Sequence, residues 1–440
     1  MYVGVTLIFQ SKQRDLAEIK HYFSCIELGD FYQLRQKIEK MGGKDSATFI
    51  YFNINYDLTT APPSHCNIHE TIRANIQNNL DFLDATTIHL SGFQFLTVLA
   101  NVDTTKLRQL SNTLRFLLNN RLQIGESSYY IQTTIGTSIW PSDSADFNTL
   151  VKYAYLASCI ARKTTKGVAH FKDSYRQAAT RQFDILNGIC RNLSANKISE
   201  QLYIVYQPKV CLNDGKLSGV EALVRWNHPT IGKVPPSEFI PLIEKTEMIN
   251  SLTLRVLELV CDDLHFFFKR NKNFCVAVNI SGKDLMNPSF ANQVSALIKK
   301  HDIPPDLLEL EITETSLLLN METASQQLRK LKNIGVKISI DDFGTGYSSL
   351  SYLAKMPVDY LKIDASLTQS LPEEKASIIV KSLIDLASKL NLGVIAEGVE
   401  SSSVLEKLKQ MQCDFAQGFY LSRPLSKRKL MNYLNTNFQS

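Results

Sequence analysis

Carboxylates recur at the ends of short apolar runs between residues 221 and 400, and their types and spacing carry the chemistry of the chain. Glu221, Leu223 and Arg225 stand at i, i+2 and i+4 in GVEALVRW, so as a strand all three project to one face. Asn279 follows Val-Ala-Val and shares its face with Ser281. Glu309, Glu311 and Thr313 alternate with Leu308, Leu310 and Ile312, which sets two carboxylates opposite a strip of aliphatics. Lys362 and Asp364 are again two residues apart. The pair Asp341-Asp342 is the most informative. Two adjacent acids cannot both point inward from a regular strand, so they are expected where the strand ends, with Gly344-Thr345-Gly346 as the turn that follows. Any one of these acids alone reads as readily as a helix cap or a surface charge, and Glu309 reads as structural. Five acids and an amide delivered to one place, with Lys362 among them and no His or Cys, form a hard-oxygen set suited to Mg²⁺ or Mn²⁺ and not to zinc. Two such ions bridged by carboxylates stabilise both the attacking and the leaving oxygen in phosphodiester hydrolysis. Lys362 would position the water or neutralise phosphate charge.

Eight apolar runs must position these groups: 202–210, 219–226, 276–281, 307–313, 337–340, 358–363, 393–396 and 415–421. Helical spacing fills gaps at 252–269, 292–301, 323–334, 375–390 and 403–411. Eight strands with intervening helices predict an α/β fold, a TIM-like (β/α)8 barrel, over an open doubly wound sheet. The C-terminal ends of such strands converge on one mouth, which gives acids far apart in sequence a common destination. Only 212–218, centred on Asn213-Asp214-Gly215, separates the first two strands. That segment is too short for a crossover helix and reads as a hairpin, so one strand is expected to run antiparallel in an otherwise parallel barrel.

Upstream, 21–172 reads as a separate α+β or α/β domain, with helices near 30–41, 68–80, 107–119 and 147–161 and strands over 47–54, 87–90, 93–100 and 129–138. Ala178, Phe183, Ile185, Leu186, Ile189 and Leu193 then recur at near-helical spacing, a connector stiffer than a Gly/Ser linker. The expected division is an unassigned lead over 1–20 without a recognisable sensor, the first domain over 21–172, the helical connector over 173–198 and the barrel over 199–440.

With 440 residues, 44% hydrophobic and 21% charged, the chain is neither disordered nor collagen-like. Its 48 Lys and Arg against 43 Asp and Glu leave a surplus of only +5, not gathered into a basic block, so no nucleic-acid polymer is indicated as a partner. The eight cysteines are scattered without a CxxC, suggesting neither a zinc cage nor a disulfide framework and a reducing, cytoplasmic setting. The apolar stretch 1–9 is too short to span a bilayer, and no membrane segment is expected. His228, His265, His301 and the run Phe266-Phe267-Phe268 read as core or surface residues.

Gln207 in YQP, EALVRW at 221–226, Asn279 in VNIS, EITE at 311–314, DDFGTGYSS at 341–349, LKID at 361–364, AEGVE at 396–400 and QGFYLSRP at 417–424 together resemble an EAL domain. The likeness spans about 180 to 440 with eight motifs in order. The family hydrolyses the bacterial second messenger cyclic di-GMP, and its barrel contains one antiparallel strand, as the short hairpin requires. The resemblance implies that Glu221, Asn279, Glu311 and Asp341 hold a first metal and Asp341, Asp342 and Asp364 a second. Lys362 and Glu397 would hold the attacking water, one of them in a base-like role. Glu314 would tether the loop that begins at Phe343 and contributes to a homodimer. Gln207, Leu223, Arg225, Glu400, Gln417 and Pro424 match positions lining the nucleotide. No metal position is substituted, so the resemblance implies an active phosphodiesterase releasing linear pGpG. A receptor that holds cyclic di-GMP without cleaving it and signals to a protein partner is the alternative.

The first domain resembles the GGDEF cyclase fold in degenerate form. The signature hairpin aligns with Ser91-Gly92-Phe93-Gln94-Phe95, which replaces the family's acidic pair by Phe93 and Gln94, and the metal-binding strand reads YFNIN, with Asn53 and Asn55. An amide coordinates Mg²⁺ weakly and phenyl not at all. The inhibitory RxxD motif has no counterpart at 82–85. No diguanylate cyclase activity is expected. GTP as an allosteric ligand and a dimer contact are the roles left for this domain, and the lost metal residues favour the contact.

Overall fold

The computed structural model describes residues 36, 38, 46–56, 68–80, 83, 85–91, 93–119, 121–124, 127–194, 201–317, 320–344, 353 and 356–437. Most of the helix expected over 30–41, the lead 1–20, parts of the 82–85 segment and of the connector, Gly92, and the turn from Thr345 lie outside these residues. The chain divides into two compact units, Met1–Arg181 and Gln182–Ser440, at a point within the helix Asp173–Ser194.

In the first unit, alternation along β1 (Ala47–Tyr56) dictates a sheet covered on both faces. Ile50, Phe52 and Ile54 pack with Ile72, Ile76, Leu107 and Leu114 from the helices Ile68–Asn78 and Thr104–Leu118. Phe49 and Tyr51 face the other way, against Phe147, Leu150 and Ala154 of the helix Phe147–Ala161. The strands β2 (Ala85–Ser91), β3 (Gln94–Ala100), β4 (Arg121–Ile124) and β5 (Ser127–Trp140) complete the order β2-β3-β1-β5-β4, and β6 (Val168–His170) pairs with β5 in parallel. Gly136 on β5 lets the helix Phe147–Ala161 approach closely. A Cβ there would lie 2.0 Å from the Ala154 carbonyl oxygen and 2.1 Å from the Ser158 nitrogen.

The second unit is the expected α/β barrel. β7 (Leu202–Cys211) and β8 (Leu217–His228) form the antiparallel hairpin, with Gln207 opposite Glu221. After β9 (Gly232–Val234), an appendage on β8, come β10 (Cys275–Ile280), β11 (Leu308–Thr313), β12 (Lys337–Phe343), β13 (Tyr360–Ile363), β14 (Gly393–Ala396) and β15 (Phe415–Ala416). Neighbours from β8 to β15 run parallel, omitting β9, and β15 closes on β7, antiparallel to both its barrel neighbours. β16 (Leu425–Ser426) adds to the other edge of β7. Crossovers are helical, for example Met248–Phe268, Phe290–Lys300, Met321–Ile334, Glu374–Lys389 and Ser402–Gln410. Val220, Val276, Leu308, Leu310, Ile338, Leu361 and Val394 from the strands join one core with Leu257, Val294, Leu328 and Val380 from the helices.

One expected boundary needs correction, and several elements gave no signal in the sequence. The last strand ends at Ala416, because Gly418 brings the chain so close to Val399 that it turns out of the sheet: a Cβ at Gly418 would lie 2.2 Å from the Val399 oxygen. The short strands β4, β6 and β9, of three or four residues, are too brief to show alternation. The terminal helix Lys427–Asn437 buries, among its described side chains, Leu430 and Leu434 in a polar sequence, so its periodicity is nearly silent.

Candidate functional site

The inward positions of the barrel strands are polar where an ordinary barrel carries aliphatic layers. At its centre lies the Lys362 ammonium on β13, completely buried, with its Nζ 2.8 Å from Glu311 Oε2, 3.1 Å from Asp341 Oδ1, 2.6 Å from Glu397 Oε1 and 3.9 Å from Glu221 Oε2. Glu221 is fixed on both oxygens: Asn279 Nδ2 donates to Oε1 (2.7 Å) and Gln417 Nε2 donates to Oε2 (2.6 Å). Glu221, Asn279, Glu311, Asp341, Lys362, Glu397 and Gln417 therefore form one connected cluster, assembled from seven strands and the residues that directly follow them. Gln417, expected at the nucleotide, bonds directly to Glu221.

Asp341 and Asp342 lie at the end of the strand, as expected, although the strand runs beyond its expected limit at 340. β12 runs through them to Phe343, and its register with β13 shifts between Ile340 and Phe343. This bulge suspends alternation, and Asp342 takes φ +55°. Asp341 thus stays buried toward Lys362, while Asp342 is exposed and its own N–H donates to Asp341 Oδ1 (3.0 Å). Burial, then the neighbouring Asp341 and Asp364, push the Asp342 carboxyl up. Asp364 caps the short helix Ala365–Gln369, accepting from the Ser366 N–H (2.9 Å) and from the Ser366 hydroxyl.

The remaining expected positions are less tightly tied. Glu314 is buried at the start of the helix Glu314–Leu317, and its Oε2 has no hydrogen-bond partner among the described residues. Gln207 Nε2 donates to the Ser422 carbonyl (3.3 Å), and Gln369 Nε2 donates to the exposed Glu400 (3.3 Å). Leu223 and Arg225 line a cavity of about 360 Å³ together with Asn279, Ser281, Pro236 and Ile240. Pro424 is half-buried beside Arg423, whose guanidinium lies over the Phe419 ring (4.7 Å).

Charge is unbalanced here. Glu221, Glu309, Glu311, Asp341, Asp342, Asp364 and Glu397 face two lysines, Lys362 and Lys209. Burial opposes charge on Lys362, but Asp341, Glu221, Glu311 and Glu397 outweigh it and hold the ammonium well above its usual range. Burial likewise acts on Glu221, yet Lys362 with the Gln417 and Asn279 amides keeps its carboxyl below the ordinary value. The excess falls elsewhere: burial raises Glu311 strongly and lifts Glu397 to about 7, with Lys362 offsetting only part. Among the described residues no three His, Cys, Asp or Glu side chains are drawn together as a ready metal cage; their oxygens point at an ammonium. The donor set itself, all hard oxygens with surplus negative charge and no His or thiolate, fits Mg²⁺ or Mn²⁺.

Lys209 escaped sequence reasoning. It lies on β7, buried, with Nζ 2.9 Å from Glu309 Oε2 and 3.5 Å from Glu311 Oε1. Its signal was present in YQPKV, where a lone Lys shares the face of Gln207 two residues away.

In the first unit the positions aligned with the cyclase hairpin hold an aromatic stack. The His69 ring lies 4.9 Å from Phe93 and 4.8 Å from His89. Gln94, opposite Asn53 in the ladder, accepts from the Tyr51 hydroxyl (2.7 Å). Burial, then His89, lower the pKa of His69, so this cluster disfavours added positive charge.

A closed barrel with one antiparallel strand and a carboxylate-rich mouth defines the class. Residues 191–424 match the family model described as the EAL domain, and the chain belongs to that family. It is 32% identical over 367 residues to the bifunctional diguanylate cyclase/cyclic di-GMP phosphodiesterase MucR of Pseudomonas aeruginosa, covering 83% of this chain and 52% of that protein. It is 35% identical over 327 residues to the cyclic di-GMP phosphodiesterase NbdA of the same organism, covering 74% and 41%. The chain thus spans about half the length of these relatives. The solved PaMucR phosphodiesterase in complex with c-di-GMP superposes with a TM-score of 0.52 at 36% identity, covering 56% of this chain and 98% of that one.

Proposed function

We propose that the barrel hydrolyses cyclic di-GMP to linear pGpG in a metal-dependent reaction, using two Mg²⁺ or Mn²⁺ ions. The observation that carries this reading is the buried cluster of Glu221, Glu311, Asp341 and Glu397 around Lys362, whose surplus negative charge calls for cations. The names of MucR and NbdA, and the ligand of the PaMucR structure, support the substrate. Glu221, Asn279, Glu311 and Asp341 would hold one ion, and Asp341, Asp342 and Asp364 the other. Bound there, such ions supply Lewis-acid charge to the phosphodiester and acidify water.

The chain's own residues do the rest. Asn279 and Gln417 orient the Glu221 carboxylate. Lys362 holds the attacking water and counters charge on the phosphate, and Glu397, with a carboxyl poised at about 7, is the group suited to take the water's proton. Water adds to one phosphorus, one P–O ester bond breaks, and the ring opens. Leu223 and Arg225, which line the cavity, would form a wall for a nucleotide, Gln207, Glu400 and Pro424 would contact it as well, and Glu314 would tether the segment that begins at Phe343.

Purified protein with Mn²⁺ and cyclic di-GMP is expected to release pGpG. Glu221→Ala should remove Mn²⁺ binding and turnover together. Bound ligand surviving overnight with Mn²⁺ present would instead identify a receptor. The first unit is read as a degenerate GGDEF domain with a regulatory role or a dimer contact in a homodimer otherwise built by the barrel. Its aromatic stack supports contact over GTP binding, and a hydrolysis rate that responds to GTP would reverse that order.

A further inference from the structure

We infer that Lys209 is a positioning residue for the metal-binding carboxylates: it clamps Glu311 from below while Glu309 holds Lys209 in place. The inference rests on the site proposed above. Each Glu311 oxygen meets a different ammonium, Oε1 with Lys209 (3.5 Å) and Oε2 with Lys362 (2.8 Å). The two lysines come from strands that are not neighbours in the barrel, Lys209 from β7 and Lys362 from β13. Lys362 is shared among four carboxylates, whereas Lys209 has two. Glu311 therefore has one partner that it shares only with Glu309 and not with Glu221, Asp341 or Glu397. Glu309 takes the nearer contact, 2.9 Å, and is itself 2% exposed. With Glu309 on the same strand and face as Glu311, the two carboxylates and the ammonium between them form a rigid bracket.

A buried lysine paired with a buried glutamate also has a purely structural reading, in which the pair only neutralises itself. The two readings part when both charges are removed together. Removing Lys209 alone strands two buried carboxylates and threatens the fold, so it decides nothing. Lys209→Met with Glu309→Leu removes the pair and leaves Glu311 held by Lys362 alone.

The test is Mn²⁺ binding to the full-length protein by calorimetry, beside thermal unfolding of the metal-free protein. Supporting residues of metal ligands typically change affinity by about 10–100-fold when lost. The expected result is a double variant that unfolds at the wild-type temperature yet binds Mn²⁺ about tenfold or more weakly. Unchanged affinity in a folded double variant overturns the proposal. Lys209→Gln with Glu309→Gln, which keeps hydrogen bonding without charge, carries the same comparison if the apolar pair does not fold. Failure of both pairs to fold assigns Lys209 to folding and overturns the positioning role. If the wild type binds Mn²⁺ no more tightly than Glu221→Gln does, the site itself falls, and the clamp with it.

Discussion

Asp284 should weaken the barrel at neutral pH, and replacing it by Asn should relieve that in a pH-dependent way. Its carboxyl lies fully buried behind β10, the strand that presents Asn279. Oδ2 accepts from the Ser281 N–H and the Thr253 hydroxyl, both at 2.8 Å, while Oδ1 has no partner. Burial outweighs those two bonds and raises the pKa from 3.8 to about 6. The folded state thus binds more protons than the unfolded state between these values, so stability falls as pH rises through the window. At about 1.36 kcal/mol per pKa unit, the penalty is ~3 kcal/mol at pH 8 and shrinks to ~0.6 kcal/mol at pH 4. Asp284→Asn keeps an oxygen for both donors and cannot ionise, although its buried NH₂ takes the unpaired place. Relative to wild type, its stability advantage should therefore be greater at pH 8 than at pH 4 by ~2.4 kcal/mol. Urea unfolding followed by Trp226 fluorescence, in a Trp140→Phe background, reads the barrel selectively because Trp226 is buried in its core. A difference between variant and wild type that stays constant from pH 8 to pH 4 would refute the reasoning.

Mn²⁺ should raise the unfolding temperature more at pH 8 than at pH 6, since burial holds a proton on Glu397 up to about 7 and that proton competes with cations; saturation at 100 times the dissociation constant is worth about 2.7 kcal/mol and EDTA should abolish it. Equal shifts at both pH values would count against proton competition. Gly136→Ala should destabilise the first unit by about 3 kcal/mol, because the added methyl meets helix backbone at 2.0 Å; hydrogen exchange of β1 and β5 amides reads this, and unchanged protection would contradict it. Gly188→Ala places a methyl 2.4 Å from His228 Nε2 and 3.0 Å from Trp226 Cζ2, with His228 Nδ1 already held by the Ile231 N–H. It should cost about 1 kcal/mol despite the better helix propensity of Ala, and red-shift Trp226 emission, an effect absent if His228 simply swings aside.

Local pattern made much of this molecule legible. Strict alternation in LELEIT and GVEALVRW fixes which residues share a face, and the short gap between the first two barrel strands, expected over 212–218 and observed over 212–216, admits only a hairpin. Where alternation breaks, the expected strand limits failed: β12 continues through a bulge past 340 to Phe343, and the close approach at Gly418 ended β15 early. Both depend on neighbouring strands and turns that no local window contains.

The sequence by itself determined the barrel, its one reversed strand and the set of acids at its mouth, because periodicity and loop length are properties of contiguous residues. Only the tertiary structure decided how those charges are balanced. Lys209 and Glu309 are 100 residues apart and meet because barrel closure brings β7 to face β11 across the interior. Burial there removes water, so each carboxylate must find an ammonium, an amide or a proton, and which one it finds follows from inter-strand distances that sequence spacing does not encode.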